Sequence, residues 1–312
     1  MSLHGSGCII YRKYIAQRKD MNSINDFPWN RTELIEKQYD EPNYRIVNGR
    51  SDKKKALVFF SSNGIYYPNT EKEFTGKIIT LDYYDWLNIG KHRLIRSYFS
   101  RIVYVRDIYK QWYVTGINRK TDTRAKLCDF LRDELKGYDI TTCGSSSGGY
   151  MAALVGSLLN AERIIDSSGQ FDLSTNLGNE PFLDFMADDP VIKEQLSLKD
   201  IISGHTGSLY YFYPAHNQGD IVQNEHISDL NVKRFAMDSD RHNRTIRPVC
   251  FPYVLTMPKD RLDGLQEKYN GRIIGEAEFY KDTLSVLNRI TDPVLYNISR
   301  VYSYARKRIC GR

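Results

Sequence analysis

Between residues 143 and 149 a strand-like pattern turns into a helix-like one across a run of glycines and serines. Residues 138–143 are rich in β-formers and read as a strand; residues 149–159 are apolar and read as a helix. The joint, Cys143-Gly144-Ser145-Ser146-Ser147-Gly148-Gly149-Tyr150, holds the spacing Gly144-x-Ser146-x-Gly148. A strand that bends at once into a helix brings two backbones together, and small residues on either side of the bend avoid the clash. Such a unit belongs to a sheet whose strands are connected by helices, which confines the chain to the α/β class.

The rest of the sequence keeps the same rhythm. Residues 56–60 (Ala-Leu-Val-Phe-Phe), bounded by Ser61-Ser62-Asn63-Gly64, read as a buried strand ending in a turn. Further strands are expected at 77–81, 101–105, 163–166, 208–213 and 232–237, with 112–114 a weaker candidate and 44–47 an early one. Helices are expected near 92–99, over 121–135, where Leu127, Phe130, Leu131 and Leu135 share a face and Gly137 stands at the C-cap, and over 221–230. The alternation predicts a mostly parallel central sheet with helices on both faces. Residues 1–50 read as an N-terminal extension packing on the core, and 51–312 as one domain. Residues 174–204 interrupt the rhythm as a helix-rich cap, with helices expected at 181–186 and 191–196, and the segment 258–312 reads as helical.

The bend also carries chemistry. A serine on a strand-to-helix turn has its Oγ raised above the sheet edge, and the helix N-terminus behind it puts the Ser147 N–H where negative charge would develop on an acyl oxygen. A phosphate-cradling loop would share the glycines, but the Walker type ends in Gly-Lys-Ser/Thr, which this segment lacks. Cys143 reads as a buried strand end.

On these residues the chain resembles the α/β-hydrolase superfamily. The resemblance implies the order nucleophile, acid, histidine along the chain, each of the last two following a late strand. Ser146 is then the nucleophile. Asp220, in the loop after 208–213 and just before the helix at 221–230, is the implied acid, and His242, after 232–237, the implied base. His4 and His92 precede the serine, His205 precedes the acid strand, His216 shares the acid's loop, and His226 lies within the expected helix. The oxyanion hole is assigned to Ser147, with a second donor from Ser62 or Asn63; Ser61-Ser62-Asn63-Gly64 departs from the superfamily's HGGG-type motif there.

The pattern Tyr-Phe-Tyr-Pro followed by Asp220 and His242 further resembles bacterial capsule and cell-surface polysaccharide O-acetyltransferases of this fold, over residues 55–245 at the level of motif order. That implies O-acetyl transfer to a carbohydrate or polysaccharide, with acetyl-CoA as acyl donor and no tightly bound cofactor. A carboxylesterase acting on a carbohydrate or small molecule would use the same acyl-serine. Two readings stand further off. Asp238-Ser239-Asp240 is a DxD, as in metal-dependent glycosyltransferases, and a binding protein could keep the fold without catalysis. The cap carries Asp184, Asp188, Asp189, Lys193, Glu194 and Lys199, which disfavours a lipase lid.

Composition constrains the setting. Net charge is +6, spread along the chain, so an anionic ligand is compatible and a nucleic-acid partner is not expected. Arg300, Arg306, Lys307, Arg308 and Arg312 form a basic tail that could make peripheral membrane contact. The five cysteines have no CxxC pairing, the first eight residues lack a signal-like pattern, and no apolar run approaches the ~20 residues of a membrane span, so a cytoplasmic location and no bound metal are expected.

Overall fold

The computed structural model describes residue 27 and residues 32–176, 193, 196–242, 244–289 and 291. Eight strands form one sheet in the order β1-β3-β2-β4-β5-β6-β7-β8. They are β1 Tyr44–Asn48, β2 Lys55–Phe60, β3 Arg101–Val105, β4 Asp139–Ser145, β5 Arg163–Ser167, β6 Ser208–Pro214, β7 Lys233–Met237 and β8 Ile273–Ile274. Only β1, an edge strand, runs antiparallel to its neighbour. The remaining pairs are parallel, each joined through a crossover.

The central strands are apolar on both sides because both faces are covered. Alternation along β2 sends Ala56, Val58 and Phe60 into one core and Leu57 and Phe59 into the other. The first core is closed by α1 (Arg124–Glu134) and α2 (Ser147–Leu158). The second is closed by the short helix Phe251–Thr256 and by α4 (Lys259–Tyr269), which follow α3 (Gln218–His226) in the chain. No helix among the described residues is long and apolar enough to cross a membrane.

Three expectations are corrected. Residues 77–81 are not a strand: Thr75–Thr80 is a π-helical turn continuing the helix Glu71–Phe74. Ile78 is buried while Ile79 and Leu81 are exposed, so this β-branched run has one apolar side and no strand to pair with. Residues 112–114 are not a strand either. Trp112 and Tyr113 have φ of 49° and 59°, and the Asp107 carboxylate takes the N–H groups of Tyr109, Lys110, Gln111 and Tyr113 that a sheet partner would otherwise take. Finally, Asp220 is not in a loop before a helix at 221–230. It is the third residue of α3, whose N-cap Asn217 accepts the Asp220 N–H at 3.2 Å.

Of the expected cap, residues 174–176, 193 and 196–204 are described, including the helix Lys199–Ser203; the helix expected at 181–186 and most of 191–196 lie outside the described residues. The basic tail, His4, Cys8 and Cys310 lie outside them too. After residue 258, the helices α4 and Glu276–Thr283 are separated by β8, whose two residues pair with β7.

Candidate active site

The bend at the end of β4 is held by three glycine contacts and one strained serine. Ser146 sits at φ 55°, ψ −124°, a conformation few side chains accept. A Cβ on Gly144 would lie 2.0 Å from the Gly148 carbonyl oxygen, and one on Gly148 would lie 2.4 Å from the Phe60 carbonyl oxygen. A Cβ on Gly149 would meet Asp166 Oδ1 at 2.4 Å. The Ser146 N–H donates to the Ser167 carbonyl at 3.2 Å, and the Ser146 carbonyl accepts the first helical bond, from Tyr150 N–H at 3.0 Å. Strain at Ser146 is thus over-determined by close backbone packing on three sides.

The structure brings Ser146, His242 and Asp220 together. His242 Nε2 is 2.9 Å from Ser146 Oγ, and His242 Nδ1 is 3.0 Å from both Asp220 oxygens. An ionised carboxylate only accepts, so Nδ1 carries the proton and Nε2 is left with its lone pair towards the serine hydroxyl. The Asp220 side chain is fully buried, whereas His242 and Ser146 are half-buried and reachable. Burial pushes the Asp220 carboxyl above its usual range, and the bond to His242 pulls it back down.

The turn leading into α3, which carries the acid, and the loop that carries the base are stitched to each other. Ala215 N–H donates to Met237 O at 2.8 Å, His216 N–H to Ser239 O at 3.0 Å, and Asn217 Nδ2 to Asp240 O at 3.1 Å. Beyond His242 the loop is tied to β5 by the Ser167 and Thr245 hydroxyls, 2.7 Å apart.

The oxyanion donors are less simply arranged. Ser147 opens α2, so its N–H has no acceptor within the helix. The Ser62 N–H and Oγ both donate to Asp85 Oδ2, at 2.8 Å each. The Asn63 N–H donates to Ser147 Oγ at 2.8 Å, and that hydroxyl donates to Asn63 Oδ1 at 3.0 Å. Neither backbone amide of the expected second donor is therefore free. Exchange is easier at Asn63, whose partner is a neutral hydroxyl, than at Ser62, which is doubly held by one carboxylate.

The other candidate residues are occupied elsewhere. The Cys143 thiol is fully buried, and burial pushes it well above its usual range. His216 Nε2 lies 3.0 Å from Asp238, one carboxylate of the DxD. His226 bonds to Ser197 Oγ, His92 caps the helix Arg93–Tyr98, and burial lowers the His205 pKa.

Two further residues of the site carry no motif and were not singled out from the sequence. Asp85 fixes the 61–63 turn through Ser62 and through its own N–H to Ser61 Oγ at 3.3 Å. Asp166 is fully buried beneath Gly149 and Gly169, with no well-formed hydrogen bond to either oxygen, and burial raises its pKa well above the usual carboxylate range. A cavity of about 550 Å³ lies beside the bend, lined in part by Ser145, Trp86 and Arg244.

No family model matches this chain, and no curated protein matches it. Among solved structures it is similar to the capsule O-acetyltransferase of Neisseria meningitidis serogroup A (13% identity, TM-score 0.46, 64% of this chain and 84% of that one). It is also similar to esterase B from Lactobacillus rhamnosis (10% identity, TM-score 0.40, 72% and 84%) and to MenH from S. aureus (12% identity, TM-score 0.36, 63% and 89%). The sheet order, the single antiparallel edge strand and the glycine-packed serine turn after β4 stand on this chain's own geometry, and they make its fold that of an α/β-hydrolase.

Proposed function

We propose that this protein is a serine-dependent acyl-transfer enzyme, working through an acyl-serine at Ser146, and that it O-acetylates a carbohydrate with an acetyl thioester such as acetyl-CoA as donor. The continuous relay Ser146 Oγ, His242 Nε2, His242 Nδ1, Asp220 carries the reading. His242 Nε2 takes the serine proton as Oγ bonds to the acyl carbon, and Asp220 stabilises the imidazolium. The tetrahedral oxyanion is met by the Ser147 N–H and, after Ser147 Oγ yields its place, by the Asn63 N–H. As the C–S bond breaks, His242 returns the proton to the departing sulfur. A sugar hydroxyl then gives its proton to His242, attacks the acyl-serine and leaves acetylated, with the proton restored to Ser146.

The second reading is a carboxylesterase, in which water replaces the sugar; the same side chains serve both. A fluorophosphonate probe should label the wild-type protein and fail to label Ser146→Ala, and the substitution should cost about 10⁴ to 10⁶ in kcat. Turnover by Ser146→Ala at near wild-type rate would falsify the proposal. Release of CoA from acetyl-CoA that depends on an added polysaccharide identifies the transferase, and equal release without it the esterase.

A further inference from the structure

We infer that the cavity beside Ser146 seats an anionic group, phosphoryl or carboxylate, of the molecule that meets the serine; this rests on the acyl-serine reading and narrows its ligand. The cavity measures about 550 Å³, room for a sugar or part of a nucleotide rather than a lone ion. Its wall includes Ser145, the residue before the nucleophile, and Arg244 and Arg247, two and five residues after His242. The lining is therefore drawn in part from the two segments that carry Ser146 and His242.

The charges of the wall are unequal. Arg247 is held in place, with Nε 3.3 Å from Glu276 and its guanidinium 4.9 Å from the Tyr280 ring centroid. Arg244 is exposed, and its guanidinium has no hydrogen-bonding or ionic partner among the described residues. Two guanidiniums against one carboxylate leave one positive charge in a concave wall, where it acts more strongly than on an open surface. The planar fork of Arg244 matches a carboxylate or a phosphoryl group in a way an ammonium would not.

Another part of the lining is apolar and fixed. Trp86 is stacked on Phe59 with centroids 5.5 Å apart, and it meets Phe251 edge-on at 4.9 Å. Its indole N–H is already used, donating to Phe60 O at 2.9 Å. An aromatic side chain in the same lining as a guanidinium without a partner among the described residues suits a ring-bearing anion: the ring lies on the apolar part of the wall while the charge meets Arg244.

The source of the anion, donor or acceptor, is separated by two matched pairs titrated calorimetrically into the Ser146→Ala protein. Coenzyme A against pantetheine tests a donor phosphate, and methyl β-glucuronoside against methyl β-glucoside tests an acceptor carboxylate. In one pair the anionic member should bind about tenfold tighter than its neutral counterpart. Arg244→Gln should remove most of that preference, Arg244→Glu all of it, and Arg244→Lys should retain part. Equal affinities in both pairs, no measurable binding by any of the four, or a preference that survives Arg244→Glu overturns the inference. An Arg244-dependent preference without fluorophosphonate labelling of the wild-type serine sinks the acyl-serine reading alone; labelling without any preference sinks the anion seat alone.

Discussion

Two of the segments that hold non-glycine residues at positive φ use it for opposite ends. At the turn after β4, Ser146 is twisted so that a reactive group faces outwards. In the segment 106–118 after β3, Lys110, Trp112 and Tyr113 also have positive φ, yet every residue of the segment is buried. A buried loop has to satisfy its own backbone. Asp107 takes four of its N–H groups, Asn43 Nδ2 donates to the Ile117 carbonyl at 3.0 Å, and the Tyr39 hydroxyl donates to the Thr115 carbonyl. One segment stores strain under close glycine packing and exposes a hydroxyl; the other stores it under one carboxylate and exposes nothing. A positive φ presents a side chain or buries a loop according to what surrounds it.

The contrast can be broken at its strongest point first. His242→Ala should lower turnover about 10⁴- to 10⁶-fold with little change in the unfolding midpoint, because a half-exposed loop residue holds up little of the core. Steady-state kinetics with thermal unfolding on the same samples checks both halves. Asp107→Ala should do the reverse. Four buried N–H groups lose their acceptor, a loss on the order of 4 kcal/mol read from urea unfolding. An Asp107→Ala protein of normal stability but with lost turnover would invert the assignment of the two segments.

Asp166 lies beneath the serine turn, and its effect is on stability. Its raised pKa means that the folded chain keeps a proton the unfolded chain gives up. Stability should therefore fall as pH rises, by about 1.4 kcal/mol per pH unit between the unfolded and folded pKa values. Asp166→Asn should remove that slope, and urea titrations from the ordinary carboxylate pKa upwards in which the wild-type and Asp166→Asn slopes coincide would show that Asp166 is ionised when folded. The smallest expected effect joins the two segments. The Tyr113 hydroxyl donates to the Ser61 carbonyl at 2.7 Å, tying the buried loop to the turn that presents Asn63. Tyr113→Phe should cost about 1 kcal/mol of stability and raise KM less than it lowers kcat, the mark of a loosened oxyanion turn rather than a lost binding contact.

What could be read from residues alone follows the range of the interactions involved. The strands flanking Ser146, and the glycines that let it bend, are local patterns and were legible as such. Asp220 and His242 were reached through chain order in a resemblance, since nothing local distinguishes His242 from His216, which finds Asp238 instead. Residues 112–114 are not the expected strand because Trp-Tyr-Val has strand-like composition while Asp107, several residues upstream, takes the N–H groups around it. Residues 77–81 are not the expected strand because β-branched Ile78 and Ile79 mimic a strand that has no partner, and Thr75–Thr80 is a helical turn. β8, two residues long, exists only through its pairing with β7, and Asp85 matters only because the chain folds it against Ser62.

Ser146 and His242 are 96 residues apart, and Asp220, in the first turn of α3, and His242 follow the adjacent strands β6 and β7. A chain emerging from the ribosome therefore displays its serine as an ordinary alcohol until nearly a hundred more residues have been made and β6 and β7 have docked. Fraying at that late end of the sheet would disarm the hydroxyl again while β2 to β5 stayed paired. Contact between Ser146 and His242 is thus a report that synthesis and folding have run through β7.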